Sequence, residues 1–168
     1  GGLRYMCAAS EGGPAGSEIW CWGDNNSGAL GNGQTQWSPV AVRAAPTLMG
    51  WTATAIECAT WNTCVIMETA ALPNPVVWCW GQNQYGTLGN DQTITSLEPV
   101  AVSQATGLSH PTSLSLTHVN ALAVDAAGDV WHWGANWGPS GDGTAATFSP
   151  TPVVGLDTPC TDLCTAGE

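Results

Sequence analysis

Apolar and polar positions in this chain alternate over short runs, and the clearest run is Ile19-Trp20-Cys21-Trp22-Gly23. It returns as Val77-Trp78-Cys79-Trp80-Gly81 and as Val130-Trp131-His132-Trp133-Gly134, at spacings of 58 and then 53 residues. Five β-prone residues closed by glycine predict a short strand. Alternation puts Trp20 and Trp22 on one face, and Ile19 and Cys21 on the other. Both faces are apolar, so the strand is expected to be covered on both sides, with Trp20, Trp22, Trp78, Trp80, Trp131 and Trp133 mostly buried. Stacked blades meet that condition. A two-sheet sandwich with partly exposed tryptophan is the alternative, and threefold recurrence at this spacing favours the stack.

A second strand precedes each Trp strand: Cys7-Ala8 matches Cys64-Val65 and Asn120-Ala121-Leu122. The connectors, residues 11–18, about 68–75 and 125–129, differ in length as loops do, so each strand pair is expected to form a hairpin. A turn follows each Trp strand: Gly23-Asp24-Asn25-Asn26-Ser27-Gly28-Ala29-Leu30-Gly31-Asn32-Gly33, then Gly81-Gln82-Asn83-Gln84-Tyr85-Gly86-Thr87-Leu88-Gly89-Asn90-Asp91. Its glycines are expected to supply positive φ, its asparagines to bond nearby backbone, and its leucine to plug the core. The third turn is one residue shorter and carries Ser140 in place of the leucine. An outer strand is expected at Ser38-Pro39-Val40-Ala41-Val42, Glu98-Pro99-Val100-Ala101-Val102 and Thr151-Pro152-Val153-Val154-Gly155. A fourth follows at residues 53–57, 112–116 and 161–165. Four antiparallel strands per unit predict an all-β array of propeller blades. It forms a single segment over residues 1–168, with approximate repeats 1–57, 58–113 and 114–168.

The order of strand, Trp-Gly, Gly-x-Asn-x-x-Gly-x-Leu-Gly, Pro-Val-x-Val and aliphatic strand resembles the regulator-of-chromosome-condensation repeat family. The likeness covers nearly the whole chain, rests on Trp22, Gly23, Trp80, Gly81, Trp133 and Gly134, and weakens in the third repeat. The Cys-Trp-Gly variant is similar to extracytoplasmic bacterial members. The resemblance implies a propeller usually of about seven blades, with each repeat split between neighbouring blades.

Cys7 and Cys21 occupy the two hairpin strands of the first repeat, and Cys64 and Cys79 the same places in the second. In the third, Asn120 and His132 replace both and are expected to face each other. Joint presence and joint absence predict the disulfides Cys7–Cys21 and Cys64–Cys79, since facing antiparallel residues lie within disulfide reach. Buried free thiols are the alternative. Two disulfides imply an oxidising, extracytoplasmic compartment. The pairing of Cys58, Cys160 and Cys164 stays open.

Charge narrows the partners. Thirteen acidic residues stand against Arg4 and Arg43, with no lysine, for a net charge of −11. Phosphate backbones need cations to neutralise them, so nucleic acid is not expected as a partner. No stretch is apolar and long enough to span a membrane, so no membrane insertion is expected either. An apolar content of 43% rules out a disordered chain. With neither signal peptide nor initiator Met in view, a mature form or a fragment is expected.

No nucleophile elbow, phosphate loop or paired-histidine metal motif is present. Asp24, Asp91 and Asp142 recur in the turns at different positions, which suits turn formation better than calcium. No catalytic residue, metal or cofactor is therefore expected. The family's founder acts as an exchange factor on the Ran GTPase and binds chromatin, and other members bind proteins, including β-lactamase-inhibiting propellers. The resemblance thus implies a non-catalytic protein-binding module of unknown partner. The candidate binding loops are at Asp24, Asn25, Asn26, Gln84, Tyr85 and Trp137. The alternatives are a structural subunit of an extracellular filament, self-associating through open blade faces, and carbohydrate binding through Trp37, Trp51, Trp61 or Trp137. Open faces also fit a longer protein with about four further blades.

Overall fold

The computed structural model describes residues 4–11, 16–44, 48, 50–104, 107–135, 147–153 and 160. Among the described residues the alternating runs become eleven antiparallel strands in three sheets. The first sheet holds β1 (Tyr5–Ala9), β2 (Ile19–Gly23) and β3 (Ser38–Arg43) in that order. The second holds β4 (Thr52–Cys58), β5 (Asn62–Glu68), β6 (Val76–Gly81) and β7 (Ser96–Ala101). The third holds β8 (Pro111–Leu116), β9 (Asn120–Asp125), β10 (Val130–Gly134) and β11 (Thr147–Pro152). The expected hairpins are β1–β2, β5–β6 and β9–β10. The strand that ends one sequence repeat opens the next sheet: β4 follows β3 in the chain but pairs with β5. It also contacts β1 and β8, so the leading strands of successive sheets lie together. The strand expected at residues 161–165 lies outside the described residues.

Period-two alternation explains the stack. Along β5, Val65 and Met67 join a core with Tyr5, Cys21 and Leu30 of the first repeat. Cys64 and Ile66, on the opposite face, join a core with Leu114, Ala121, Ala123 and Trp133 of the third. One sheet thus fills two interfaces, which is why β5 is buried on both faces from Asn62 to Met67. In β6, Trp80 points to the first sheet, whereas Val77 and Cys79 point to the third.

This orientation corrects the expected burial of the tryptophans. Trp80, Trp131 and Trp133 are buried, but Trp22 and Trp78 are only half-buried and Trp20 is 36% exposed. Each tryptophan face looks toward the preceding repeat. The other face of β2, with Ile19 and Cys21, packs on the second sheet, and the tryptophan side of the first stays partly exposed, with Met6 beside it.

The two disulfides are present. Cys7 faces Cys21 and Cys64 faces Cys79 across their hairpins, each with Cα atoms 4.1 Å apart. Cys58 and Cys160 are free, and Cys164 lies outside the described residues. The third repeat departs from expectation. His132 is opposite Leu122, and Asn120 is opposite Gly134. Asn120 therefore matches Asn62, which faces Gly81, and Leu122 stands where the cysteine would be. The outer strands also correct the alignment by Pro-Val. Ser38, Ser96 and Thr147 each face the glycine that closes a Trp strand, and a bulge follows. That pairing, and not proline, sets the register, so Pro39 corresponds to Leu97 and Phe148.

Candidate functional site

Gly23 and Gly81 end their strands and release the chain into the long turn, and the first amide of each turn is tied back to the loop before the hairpin. Asp24 N–H donates to Arg4 O at 2.8 Å, Gln82 N–H to Trp61 O at 2.9 Å, and Ala135 N–H to Val119 O at 2.9 Å. Turns and hairpin-leading loops therefore share one end of the stack. Within the first two turns one buried asparagine is the organiser. The Asn25 Nδ2 donates to Asn32 Oδ1 and Gln34 O, while its Oδ1 accepts from Leu30 N–H at 3.0 Å. Asn83 repeats this with Asn90, Gln92 and Leu88. Satisfying otherwise orphaned buried backbone groups is a structural task, and it leaves the Asn25 amide facing inward. Leu30 and Leu88 are fully buried, as a plug must be.

The turn also joins one repeat to the next. Trp80 Nε1–H donates to Ala29 O at 2.7 Å, and Trp133 Nε1–H donates to Thr87 O at 2.8 Å. The indole lies against the glycine that follows the leucine. A Cβ on Gly31 would meet Trp80 Nε1 at 2.7 Å, and one on Gly89 would meet Trp133 Nε1 at 2.8 Å. Both glycines also have positive φ, so two separate constraints exclude a side chain there.

Everything so far recurs in both seams, so it serves the stack. The residues that do not recur are free of that duty. At the first seam the rim positions are Arg4, Asp24, Ser27 and Thr60. At the second, the equivalent positions are Trp61, Gln82, Tyr85 and His118. Arg4 and Asp24 form an exposed ion pair at 3.7 Å, worth little in stability. Asp24 Oδ1 also accepts from Asn26 N–H at 2.9 Å, and Asn26 itself is exposed. The second seam instead gathers rings. Trp61 and His118 pack edge to face with centroids 4.8 Å apart, and Tyr85 and His118 do so at 6.1 Å. All three are half-buried, and Gln84 beside them is exposed.

Of the binding-loop candidates, the structure thus brings Gln84 and Tyr85 to one place and Asp24 and Asn26 to the neighbouring seam. It sets Asn25 inside its turn. Trp137 lies outside the described residues. Trp61, expected only as a carbohydrate contact, and His118, which no expectation named, also belong to the cluster. The available signal was their failure to repeat. Trp37 is 65% exposed on the approach to β3, and Trp51 packs edge to face on Trp78. Chemistry of the nucleophilic kind finds little support. Burial pushes the Cys58 thiol up to about 11, so it is protonated and unreactive at neutral pH. Burial likewise raises the Tyr5 hydroxyl, which donates to Asn62 O at 2.6 Å. A shallow depression of about 340 Å³ at the opposite end is lined by Thr52, Leu72, Pro73 and Glu68. No cluster of metal-ligating side chains occurs among the described residues.

Stacked antiparallel sheets of three and four strands, joined by a Trp-to-turn bond and ending in variable loops, define a β-propeller array. The chain belongs to the regulator of chromosome condensation (RCC1) repeat family, whose model matches residues 17–66 and 76–119. Solved structures agree on the fold. Human WBSCR16 superposes with a TM-score of 0.70 at 16% identity, over 90% of this chain and 36% of that one. Prp20p from Saccharomyces cerevisiae, reported with its binding properties to Gsp1p and histones, gives 0.63 at 14% identity, over 93% and 40%. Yeast RCC1 (Prp20) bound to Kap60 gives 0.59 at 15%, over 93% and 39%. The chain spans 36–40% of the length of these structures.

Proposed function

We propose that this chain is a non-catalytic, protein-binding portion of a propeller that works outside the cytoplasm. The observation that carries the reading is the loop end, where the two seams share the backbone bonds of the turn and its leading loop but differ in the side chains they display. A scaffold held constant beneath variable loops is how recognition surfaces are built. Similarity to Prp20p, a structure reported with protein partners, is consistent with that use of the fold. The two disulfides support an oxidising compartment, because cytosolic glutathione keeps such thiols reduced.

A photo-crosslinking residue at Gln84 is expected to capture a protein in the cells that make this chain, while the same residue at Ala71, exposed at the opposite end, is not. No protein adduct at Gln84, or identical adducts from both positions, overturns the reading. Alkylation of intact cells before lysis tests the compartment: Cys7, Cys21, Cys64 and Cys79 are expected to escape labelling.

A second reading, a subunit of an extracellular assembly packed blade to blade, draws on the first sheet. Met6 is 52% exposed there, and the Trp22 indole N–H, unlike those of Trp80 and Trp133, has no acceptor among the described residues. Mass that grows with concentration in light scattering, and that Trp22→Ala abolishes, is the result this reading requires.

A further inference from the structure

The ring cluster at the second seam carries a step that rests on the protein-binding reading and specifies the partner's chemistry. We propose that Trp61, Tyr85 and His118 receive an arginine or lysine side chain of a basic partner protein. The fold does not require these rings. At the first seam the same positions hold Arg4, Ser27 and Thr60 beneath the same backbone bond, from Asp24 N–H to Arg4 O, that Gln82 makes to Trp61. Their arrangement suits a cation. The rings meet edge to face, at interplanar angles of 75° and 76°, and each keeps part of its surface in solvent. The faces of such rings are electron-rich and attract ammonium and guanidinium groups.

The chain has no cation of its own to spend there. It has no lysine, Arg4 is paired with Asp24, and Arg43 with Glu18 at 3.1 Å. Exposed Asp91 follows the turn that carries Tyr85, and exposed Glu98 lies against Gly33 of the neighbouring seam. A net charge of −11 steers positive partners toward the surface, and the rings then supply the local contact.

The test uses the intact chain labelled with nitrogen-15, reading its tryptophan indole N–H signals. The probes are an arginine-rich Gly-Ser peptide, its citrulline counterpart of equal length, and cellotetraose. The arginine peptide is expected to move the Trp61 signal and leave those of buried Trp80 and Trp133 in place, and citrulline is expected to do nothing. Tyr85→Ser and His118→Thr install the residues that the first seam already tolerates, so the remaining signals report an intact fold. Each is expected to weaken arginine-peptide binding by roughly threefold to thirtyfold. Equal response to arginine and citrulline overturns the proposal. So does binding that neither substitution weakens, which assigns it to diffuse charge, and so does a Trp61 shift with cellotetraose but not with arginine. These outcomes are independent of crosslinking at Gln84. Capture there without arginine selectivity leaves a protein-binding end with a different partner, and arginine selectivity without capture leaves a cation-binding ring cluster but overturns the partner protein.

Discussion

Replacing Trp80 and Trp133 separately by phenylalanine cuts the same atoms from two equivalent, fully buried sites. The transfer and cavity terms are therefore close to equal and nearly cancel when the two variants are compared. What differs is the carbonyl left behind. Ala29 O keeps a second donor, Thr63 Oγ1–H at 3.1 Å, after Trp80 loses its indole. Thr87 O has Trp133 as its donor, and the Thr87 hydroxyl is itself engaged with Val119 O. A buried acceptor stripped of its partner costs about 1–3 kcal/mol. Trp133→Phe is thus expected to destabilise the chain by about 1–2 kcal/mol more than Trp80→Phe. Urea unfolding of the oxidised proteins measures this. With a slope of about 2 kcal/mol/M, the midpoints separate by roughly 0.5–1 M. Adding Thr63→Val to Trp80→Phe should close the gap. Equal midpoints at unchanged slope, or a lower midpoint for Trp80→Phe alone, would refute the account of the seam as a satisfied hydrogen bond.

Other consequences are as direct. Cys64→Ser with Cys79→Ser removes a crosslink spanning a sequence separation of 15, and the chain-entropy relation puts the loss near ~3 kcal/mol, readable as a lowered urea midpoint. Burial raises Cys58 to about 11 against 9.0 for an ordinary thiol. The unfolded chain therefore loses this proton first, and the group's contribution to stability, intact below about pH 9, should fall away between pH 9 and 11; Cys58→Ser should flatten that part of the stability profile. Duplex DNA should show no salt-sensitive binding at micromolar concentration, because a surface of this charge releases no counterions from phosphate. A measurable salt-dependent affinity would contradict that.

The hairpins, the leucine plugs and the disulfides were legible because each depends on residues close in sequence or on a motif that recurs whole. Register was harder. Pro39 and Pro99 look alike in the sequence, yet the outer strands are aligned by Ser38 and Ser96 facing Gly23 and Gly81, followed by a bulge that no local pattern announces. Asn120 was misplaced for another reason: the β9–β10 hairpin runs in unbroken register with Asn120 opposite Gly134 and Leu122 opposite His132, so Leu122, and not Asn120, holds the cysteine's place. Sheet membership of β4 was outside the reach of periodicity, since alternation says which face is apolar but not which neighbour it meets. The ring cluster draws Trp61, Tyr85 and His118 from three loops, so spacing could not assemble it. Subtracting one repeat from another could have flagged its members.

The Trp-to-turn joint has a bearing on how such chains change length over time. The second repeat offers the Thr87 carbonyl and bare Gly89 on one side and the Trp80 indole donor on the other, and Ala29–Trp80 and Thr87–Trp133 are two versions of the same connection. A duplicated stretch of gene encoding one period would arrive with both halves of the connector already matched to its neighbours. Copies can then be gained or lost without redesigning the interior. Substitutions in the exposed loops can accumulate independently, so that a new copy inherits its place in the array while its rim is free to diverge.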